Sequence, residues 1–372
     1  VILSLSGCPA TNPGTSGNGR NLNRNLNAGN RNANASLNVN GNGNLNVNAN
    51  QNAGNANGAG GNGNVNRNAN VNGNVLFVAL LADCRVVSFA NPASVASGTA
   101  PTTNILSGAT TQLDDPTDIA VNGGGELIVN NSDANKLLVF TNATSATGSV
   151  APARSVSGAA TLLDNPRSIA IDLTNDVLFV ANAGASSSIL IFTGVSQPAF
   201  TGMVAPARRI NSAALNGPLG LNRDAAGTLY VANNGASNVL AFAAAATLDG
   251  TVAPTRTLTS TVFDDIYDAF VDTQDTLFVV DRSDSEVYVF TNAATRDGTQ
   301  APSSTLRISG ASALAAIEVD AADHGFIADE VADAIFIIDN ISTRSGTVAP
   351  DRSISGPGTG INGPAGLYLL MP

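Results

Sequence analysis

Short apolar runs separated by polar turns recur along the chain after residue 74. In one repeat the runs are Val-Leu-Phe-Val at 177–180 and Ile-Leu-Ile-Phe at 189–192, preceded by Ile-Ala-Ile-Asp at 169–172. A polar, alternating segment such as Arg-Ser-Val-Ser-Gly at 154–158 follows a turn that contains proline. Short apolar runs bounded by turn residues are typical of buried strands, and proline near the start of a polar strand suits a sheet edge. The pattern predicts four strands per repeat, the last at an exposed edge.

Ala-Pro steps that follow Gly- or Thr-rich turns mark the repeat. The steps are Ala100-Pro101, Ala151-Pro152, Ala205-Pro206, Ala253-Pro254, Ala301-Pro302 and Ala349-Pro350. Successive prolines are 51, 54, 48, 48 and 48 residues apart. A period near 50 residues is typical of propellers and solenoids.

The strand count at the two ends of the chain distinguishes these architectures. The apolar second and third strands occur six times, but the first copy, at 75–90, has no small-residue strand before it. Conversely, the strand at 364–370 has no apolar strand after it. A solenoid does not need this mismatch, whereas a ring closed by a shared blade does. We therefore predict an all-β, six-bladed β-propeller of four-stranded blades over residues 75–372, with strand 364–370 innermost in the shared blade.

The segment before the propeller has a different composition. From Asn12 to Asn74 it reads largely as Asn-x-Asn-x, with Gly insertions and few large apolar residues. Such a sequence cannot bury much apolar surface, so we expect a disordered, Asn/Gly-rich tether over residues 9–74. Strict alternation is also strand-like, and stacked Asn side chains can form ladders between chains. Self-assembly through residues 12–74 therefore stays open as an alternative.

Charge differs between the two segments. Residues 1–74 carry four arginines and no acid, whereas the remainder carries 13 basic and 28 acidic residues, a net charge of −15. Such a body repels nucleic-acid phosphate. No apolar stretch after residue 8 approaches the roughly 20 residues that a membrane helix needs. We expect no nucleic-acid partner, and a membrane contact only through a lipid anchor.

The lipid anchor is predicted at Cys8. Residues 1–8 look like the remnant of a signal peptide, and Leu5-Ser6-Gly7-Cys8 resembles the bacterial lipobox, in which the cysteine thiol receives a diacylglycerol. This resemblance implies an exported, lipid-anchored envelope protein. Pro9 rather than Asp after the cysteine resembles lipoproteins sorted to an outer membrane or cell surface. The other cysteine, Cys84, is expected to be a small packed residue, with a reactive thiol as the alternative.

The repeats themselves resemble known propeller families. The segment 229–239, Leu-Tyr-Val-Ala-Asn-Asn-Gly-Ala-Ser-Asn-Val, is similar to a YVTN-type repeat, and 164–172 followed by 178–182 is similar to NHL-type repeats. The likeness covers residues 75–372. It implies a mostly non-enzymatic scaffold, although related six-bladed folds include calcium-dependent lactonases.

Two sets of polar residues are candidate sites. The residue after the second strand is an amide or carboxylate in five repeats, which could ligate Ca²⁺ or cap a hairpin: Asn131, Asn182, Asn233, Asp281 and Asp329. A second set precedes the first strand and is expected near the mouth of the channel, where it either attracts cations or shapes turns: Asp114, Asp115, Asp164, Asp264 and Asp265.

Other residues carry weaker signals. His324, the single histidine, lies beside Asp323 in an expected surface turn, without a nucleophile motif. The arginines after the Ala-Pro steps, among them Arg154 and Arg352, are expected to decorate outer edges, where ion pairs contribute little. The chain has no Trp and no Gly-rich phosphate loop.

The combined prediction is a lipoprotein that presents its propeller as a non-enzymatic binding scaffold. Its partner would be an envelope or extracellular protein or glycan, and no catalytic residue or cofactor is expected. The first alternative is a calcium-dependent, lactonase-like hydrolase. The second is a subunit of an extracellular filament or matrix assembled through the Asn-rich tract.

Overall fold

The computed structural model describes residues 35–39, 45–49, 74–95 and 104–371. Residues 35–39 and 45–49 belong to a unit separate from residues 74–371. In this first unit, strand Ala35–Val39 pairs antiparallel with strand Leu45–Ala49. The rest of the predicted tether, apart from Asn74, lies outside the described residues, so the prediction of disorder there stays a prediction.

Residues 74–95 and 104–371 form six sheets, each with four antiparallel strands, arranged as the blades of a propeller, which confirms the predicted fold. Blade 1 contains both ends of this unit, and blades 2 to 6 follow in chain order. The innermost strands, in blade order, are Pro364–Leu370, Pro116–Val121, Pro166–Asp172, Pro218–Arg223, Ile266–Val271 and Leu314–Val319.

The second and third strands of every blade are almost entirely buried, as their continuous apolar runs predicted. The second strands are Val75–Leu80, Leu127–Asn131, Val177–Asn182, Leu229–Asn233, Thr276–Asp281 and His324–Asp329. The third strands are Arg85–Ala90, Lys136–Phe140, Ser188–Thr193, Asn238–Phe242, Glu286–Thr291 and Ala334–Asp339.

The outer strands are shorter and half-buried. They are Asn104–Leu106, Arg154–Ser157, Arg208–Asn211, Arg256–Thr259, Ser304–Ile308 and Arg352–Ser355. In blades 3, 4 and 5 a fifth strand from the following blade pairs parallel with the outer strand. These fifth strands are Gly250–Thr251, Gly298–Thr299 and Gly346–Val348. The expected exposed edge is therefore wrong for these blades, because the next blade satisfies the backbone groups that an edge leaves unpaired.

Two of the arginines that begin outer strands also join neighbouring blades. Arg154 donates to the carbonyl oxygens of Val195 and Gln197 in blade 3 and is paired with Glu126 in its own blade. Arg208 donates to the carbonyl of Ala246 in blade 4. These two arginines therefore do more than decorate an outer edge, because they bind backbone acceptors of the next blade, whereas Arg256 contacts Tyr230 and Arg352 contacts Asp339 in their own blades.

Blade 1 holds the ring closed. Strand Pro364–Leu370 pairs antiparallel with strand Val75–Leu80 along its length, so the last strand of the chain lies beside the first strand of the propeller. An apolar cluster fills each of the six blade junctions, including the one between blades 6 and 1, where Phe326 and Leu76 are fully buried. A continuous set of dry interfaces of this kind stabilises a propeller without open edges.

Seven short 3-10 turns lie in the connections of the described residues: Pro92–Ser94, Ala109–Thr111, Ala159–Thr161, Asn234–Ala236, Ala245–Thr247, Ala293–Thr295 and Ile341–Thr343. Among these same residues, none of the helical segments has the length and apolar character required to traverse a bilayer.

Candidate functional site

The six innermost strands surround a cavity of about 1350 Å³ that follows the propeller axis. Every innermost strand pairs with its second strand through a register shift after its first residue, as between Pro116 and Asp118. A bulge of this kind re-aims the side chains next to it. The residues beside the bulge, such as Asp118 and Asp268, thereby line the cavity.

A circuit of six hydrogen bonds runs around the wall of this cavity. In each bond a side chain of one innermost strand contacts the backbone of the innermost strand of the next blade. The pairs are Asp118 with Ile169, Ser168 with Leu221, Asn222 with Val271, Asp268 with Ile317, Glu318 with Leu369 and Tyr368 with Val121. The side-chain oxygen accepts from an amide in the first five pairs, and the Tyr368 hydroxyl donates to a carbonyl in the sixth. The circuit visits all six blades and returns to its start.

The carboxyl groups of this circuit all have raised pKa values. Burial raises the pKa of Asp118 to about 7 and the pKa of Asp268 to about 6, although both accept amide hydrogen bonds that act in the opposite direction. Burial, together with the carboxylates of Asp268 and Asp118, raises the pKa of Glu318 well above its usual value. Three acids in one narrow channel therefore repel each other's ionised forms.

Each aspartate of the circuit lies against a glycine of the preceding blade. A Cβ atom added at Gly366 would lie 2.4 Å from the carbonyl oxygen of Thr117 and 2.7 Å from Cα of Asp118. At Gly220, an added Cβ would lie 2.6 Å from Cα of Asp268. Glycine is required at both places because the innermost strands approach too closely for a side chain.

One end of the site, which we call the channel mouth, is lined by charged and aromatic side chains. Its residues are Asp115, Asp133, Arg167, Tyr267, Arg282 and Glu330. Nη2 of Arg167 in blade 3 donates to the Tyr267 hydroxyl of blade 5 at 3.0 Å. The Arg282 guanidinium carbon lies 4.8 Å from the centroid of the Tyr267 ring, and Nη1 of Arg282 is 2.5 Å from Oε2 of Glu330. Tyr267 thus lies between two arginines, one stacked on its face and one bound to its hydroxyl.

The structure divides the predicted mouth acids. Asp115, Asp164 and Asp265 line the cavity, whereas Asp114 and Asp264 do not. Oδ2 of Asp164 accepts from the Ala185 amide, and Oδ1 of Asp265 accepts from Nδ2 of Asn234. Burial and the nearby Asp133 carboxylate raise the pKa of Asp115 to about 6, against the effect of Arg167.

The five polar residues that end second strands are not brought together. Each binds the loop that precedes the innermost strand of its own blade. Asn131, for example, accepts from the Asp114 amide and donates to the Gln112 carbonyl, and Asn182 makes the equivalent pair with Asp164 and Leu162. The remaining three hold equivalent loops: Asn233, Asp281 and Asp329.

These hydrogen bonds test whether the five residues that end second strands ligate Ca²⁺ or cap a hairpin. The oxygens of Asp329 accept four backbone amides, from Ser312, Ala313, Val331 and Ala332. Most of the partners lie 16 to 20 residues upstream rather than two residues on, so the side chains fasten a distant loop more than they cap a hairpin. Among the described residues, no group of three or more His, Cys, Asp and Glu side chains is arranged to hold a metal ion.

His324 and Cys84 have partners of their own. His324 begins a strand, and its Nδ1 lies 2.8 Å from Oδ2 of Asp320, outside the channel. Cys84 is packed in an apolar cluster, as predicted, at 8% exposure, and it takes part in a disulfide rather than presenting a reactive thiol. The chain has one other cysteine, Cys8, which lies outside the described residues. A sulfur that carries a lipid thioether cannot also form a disulfide, so the predicted lipidation of Cys8 and a disulfide between Cys8 and Cys84 exclude each other.

The channel residues that the sequence analysis missed do carry a signal. When the innermost strands are aligned on their first residue, the second position contains Arg167 and Tyr267, and the third contains Asp118, Ser168 and Asp268. These positions break the apolar character of the strands in some repeats and not in others. Residues that every blade needs for its own fold are similar in all repeats. Residues that line the channel differ between repeats at the same position, and this difference could have identified them from the sequence.

Comparison with known proteins supports the fold alone. No protein-family model and no curated protein matches the sequence. A protein of unknown function from Bacteroides caccae is similar in structure, with a TM-score of 0.53 and 11% identity over 80% of this chain and 99% of that one.

Two further solved structures have a similar relationship. A chain from a nidogen/laminin complex has a TM-score of 0.53 and 11% identity, over 80% of this chain and 98% of its own. A functionally unknown protein from Desulfotomaculum acetoxidans has a TM-score of 0.51 and 12% identity, over 80% and 99%. At this identity the likeness shows the architecture and not the ligand, and the chain is a six-bladed β-propeller.

Proposed function

We propose that this chain is a cell-envelope lipoprotein whose propeller is a non-enzymatic binding module, with the channel mouth as its ligand site. The partner is an envelope or extracellular protein or glycan that inserts a group into the mouth. The observation that carries this proposal is the contrast between the channel wall and the mouth. The wall groups are engaged in the blade-to-blade circuit, whereas Arg167 and Asp115 at the mouth have no ion-pair partner among the described residues.

The chemistry of the site supports binding more than catalysis. Nucleophilic catalysis needs a nucleophile within hydrogen-bond reach of a base. The single histidine binds Asp320 away from the cavity, and the channel carboxyl groups accept backbone amides. A concave site with a few polar groups at its entrance is the usual form of a binding pocket.

Site-specific photo-crosslinking in cells that produce the exported chain tests this proposal. A photoreactive amino acid in place of Leu219, which lines the cavity, is expected to form an adduct with one envelope protein or glycan. The same probe in place of Val150, which is 40% exposed and lies outside the cavity, is the matched control. The absence of a Leu219 adduct, or identical adducts from both positions, would contradict the proposal.

The lipid anchor at Cys8 is a separate part of the proposal. It rests on the lipobox-like sequence. The alternative is that the Cys8 thiol forms a disulfide, since Cys84 is disulfide-bonded. Metabolic labelling with a radioactive fatty acid should label the exported protein and fail to label a Cys8→Ser variant. Release of the protein into the medium without label, with an intact disulfide by mass spectrometry, would rule out the anchor.

The calcium-dependent lactonase is the second candidate, since Asn222, Asp268 and Glu318 line the same cavity and offer the oxygen types that Ca²⁺ binds. The fit is poor. Oδ1 of Asn222 accepts the Val271 amide, and the two oxygens of Asp268 accept the amides of Ala269 and Ile317. A metal would have to displace these bonds and compete with protons on raised-pKa carboxyl groups.

The filament subunit remains the third candidate because the Asn-rich tract contains the paired strands Ala35–Val39 and Leu45–Ala49. Paired strands in a tract of this composition are compatible with assembly between chains. Deletion of residues 12–70 should then abolish polymers of the exported protein in electron micrographs, whereas unchanged polymers would exclude this role for the tract.

A further inference from the structure

Two opposite charges at the channel mouth face one cavity without neutralising each other. The Arg167 guanidinium makes one hydrogen bond within the described residues, to the uncharged Tyr267 hydroxyl. The other two arginines of the cavity each have a carboxylate partner, Glu330 for Arg282 and Asp172 for Arg223. Arg167 is therefore the cavity arginine without a carboxylate partner, in the part of the chain that the structure describes, and four of its five N–H donors make no hydrogen bond there.

The Asp115 carboxylate is the complementary group. It is half-buried in blade 2, next to the blade that carries Arg167, and no hydrogen bond or ion pair joins its side chain to the described residues. Arg167 and Asp115 influence each other electrostatically, yet no N···O distance between them is within the 4.0 Å of an ion pair. Opposite charges in a shared, partly desolvated site normally pair unless the structure holds them apart.

The separation has a structural cause on the arginine side. Arg167 extends past blade 4 to blade 5, and blade 4 contributes two glycines to the cavity lining, Gly220 in its innermost strand and Gly217 just before that strand. The Tyr267 ring that receives Arg167 is itself fixed by the stacked Arg282, which Glu330 holds in place. The guanidinium is thus held against blade 5, and none of its nitrogens lies within 4.0 Å of an Asp115 carboxylate oxygen.

We propose that the channel mouth binds a zwitterion of the amino-acid type, with its carboxylate on Arg167 and its ammonium group on Asp115. The ligand class is a free α-amino acid or a short peptide. This inference rests on the proposed binding function and assigns a small ligand to the same site, in addition to the protein or glycan partner. A guanidinium matches a carboxylate through two parallel N–H···O bonds, and an aspartate accepts from an ammonium group.

The electrostatics of the surroundings favour a zwitterion over a ligand of one charge sign. Asp133, Asp164 and Asp265 also line the cavity, so the mouth repels dicarboxylates and other polyanions. A simple amine would leave Arg167 without a partner inside a cavity that the amine has partly desolvated. A ligand that carries both charges satisfies both protein groups and adds no net charge.

Binding measurements on the unmodified full chain test the ligand class. Isothermal titration with each of the twenty common α-amino acids, and with diglycine and triglycine, separates free amino acids from peptides as the source of the zwitterion. Each ligand that binds is then compared with its carboxamide, which lacks the carboxylate, and with its deamino acid, which lacks the ammonium group. We expect each analogue to bind at least about tenfold more weakly. No binding by any of these compounds at millimolar concentration, or equal binding by the analogues, would overturn the inference.

Variants assign the two charges to their residues. Arg167→Gln should lower the affinity for the zwitterion about tenfold or more and leave the affinity for the carboxamide unchanged. Asp115→Asn should lower the affinity for the zwitterion by a similar factor and leave the affinity for the deamino acid unchanged. The controls are Arg307→Gln and Asp284→Asn, exposed charges outside the cavity. Loss of affinity in the controls, or its retention in both mouth variants, would contradict the assignment.

The two proposals can fail separately. If crosslinking from Leu219 identifies a partner whose affinity is the same in Arg167→Gln and Asp115→Asn, the binding function stands and the zwitterion inference is wrong. If neither small molecules nor envelope components bind, both are wrong.

Discussion

The hydroxyl of Tyr368 donates a hydrogen bond to the carbonyl oxygen of Val121, at 3.3 Å, across the junction between blades 1 and 2. The two residues are 247 positions apart in the chain. This bond is the sixth step of the circuit around the channel, and it comes from the strand that closes the ring. It differs from the other five in that the side chain donates rather than accepts.

Removal of this bond should weaken the closed ring. Tyr368→Phe keeps the packing of the aromatic side chain and removes its hydroxyl. We expect the free energy of unfolding to fall by about 1 kcal/mol, the usual net contribution of a hydrogen bond. Chemical denaturation monitored by circular dichroism measures the change. An unchanged midpoint would mean that the sixth step contributes nothing to closure.

The close approach of Gly366 to Thr117 predicts a larger effect. In Gly366→Ala the new methyl group would lie 2.4 Å from a backbone carbonyl oxygen, so the closing strand must move away from blade 2. We expect a loss of about 1–3 kcal/mol, as is typical of overpacking. Gly123→Ala is the matched control, because no heavy atom lies within 4 Å of its added Cβ. Equal stability of the two variants would contradict the structure at this junction.

The channel acids predict that stability falls as pH rises. The pKa of Asp118 is raised to about 7 and that of Asp268 to about 6 in the folded protein, whereas an unfolded chain has a value of about 3.9. Between about pH 4 and pH 7 the folded state therefore binds protons that the unfolded state has released, so each increase in pH removes stability. Glu318 acts in the same direction.

Urea unfolding at pH 5 and pH 8 measures this dependence. The midpoint should be higher at pH 5, and the difference should shrink in an Asp118→Asn, Asp268→Asn double variant, whatever its absolute stability. A midpoint that rises from pH 5 to pH 8 would show that these carboxyl groups are ionised without cost in the folded protein.

Asp329 should contribute to the stability of the fold and should not bind calcium. Its side chain is fully buried and accepts four backbone amides, so Asp329→Ala leaves those donors without an acceptor and should cost about 3 kcal/mol or more. Because its oxygens are already occupied, millimolar CaCl2 should not change the thermal midpoint of the unmodified protein. A calcium-dependent increase in Tm that Asp329→Ala abolishes would instead support the metal-dependent alternative.

The sequence by itself determined the strands, the number of blades and the ring. Runs such as Val-Leu-Phe-Val at 177–180 indicate strands that are buried on both faces. Because such runs recur with the period of 48 to 54 residues, counting them gives the number of sheets. These are local properties, since each run contains the information that makes it a strand. The fold class could be predicted for that reason without any knowledge of contacts.

The tertiary structure alone decided which side chains meet. Arg167 and Tyr267 are 100 positions apart and bind each other because two blades bring them to one mouth, and nothing in either repeat encodes the other. Arg154 and Arg208 were misjudged for the same reason, since their backbone acceptors belong to the next blade. Contacts between repeats depend on the angle and distance at which the sheets pack, and a periodic sequence specifies those only through the packing of the whole ring.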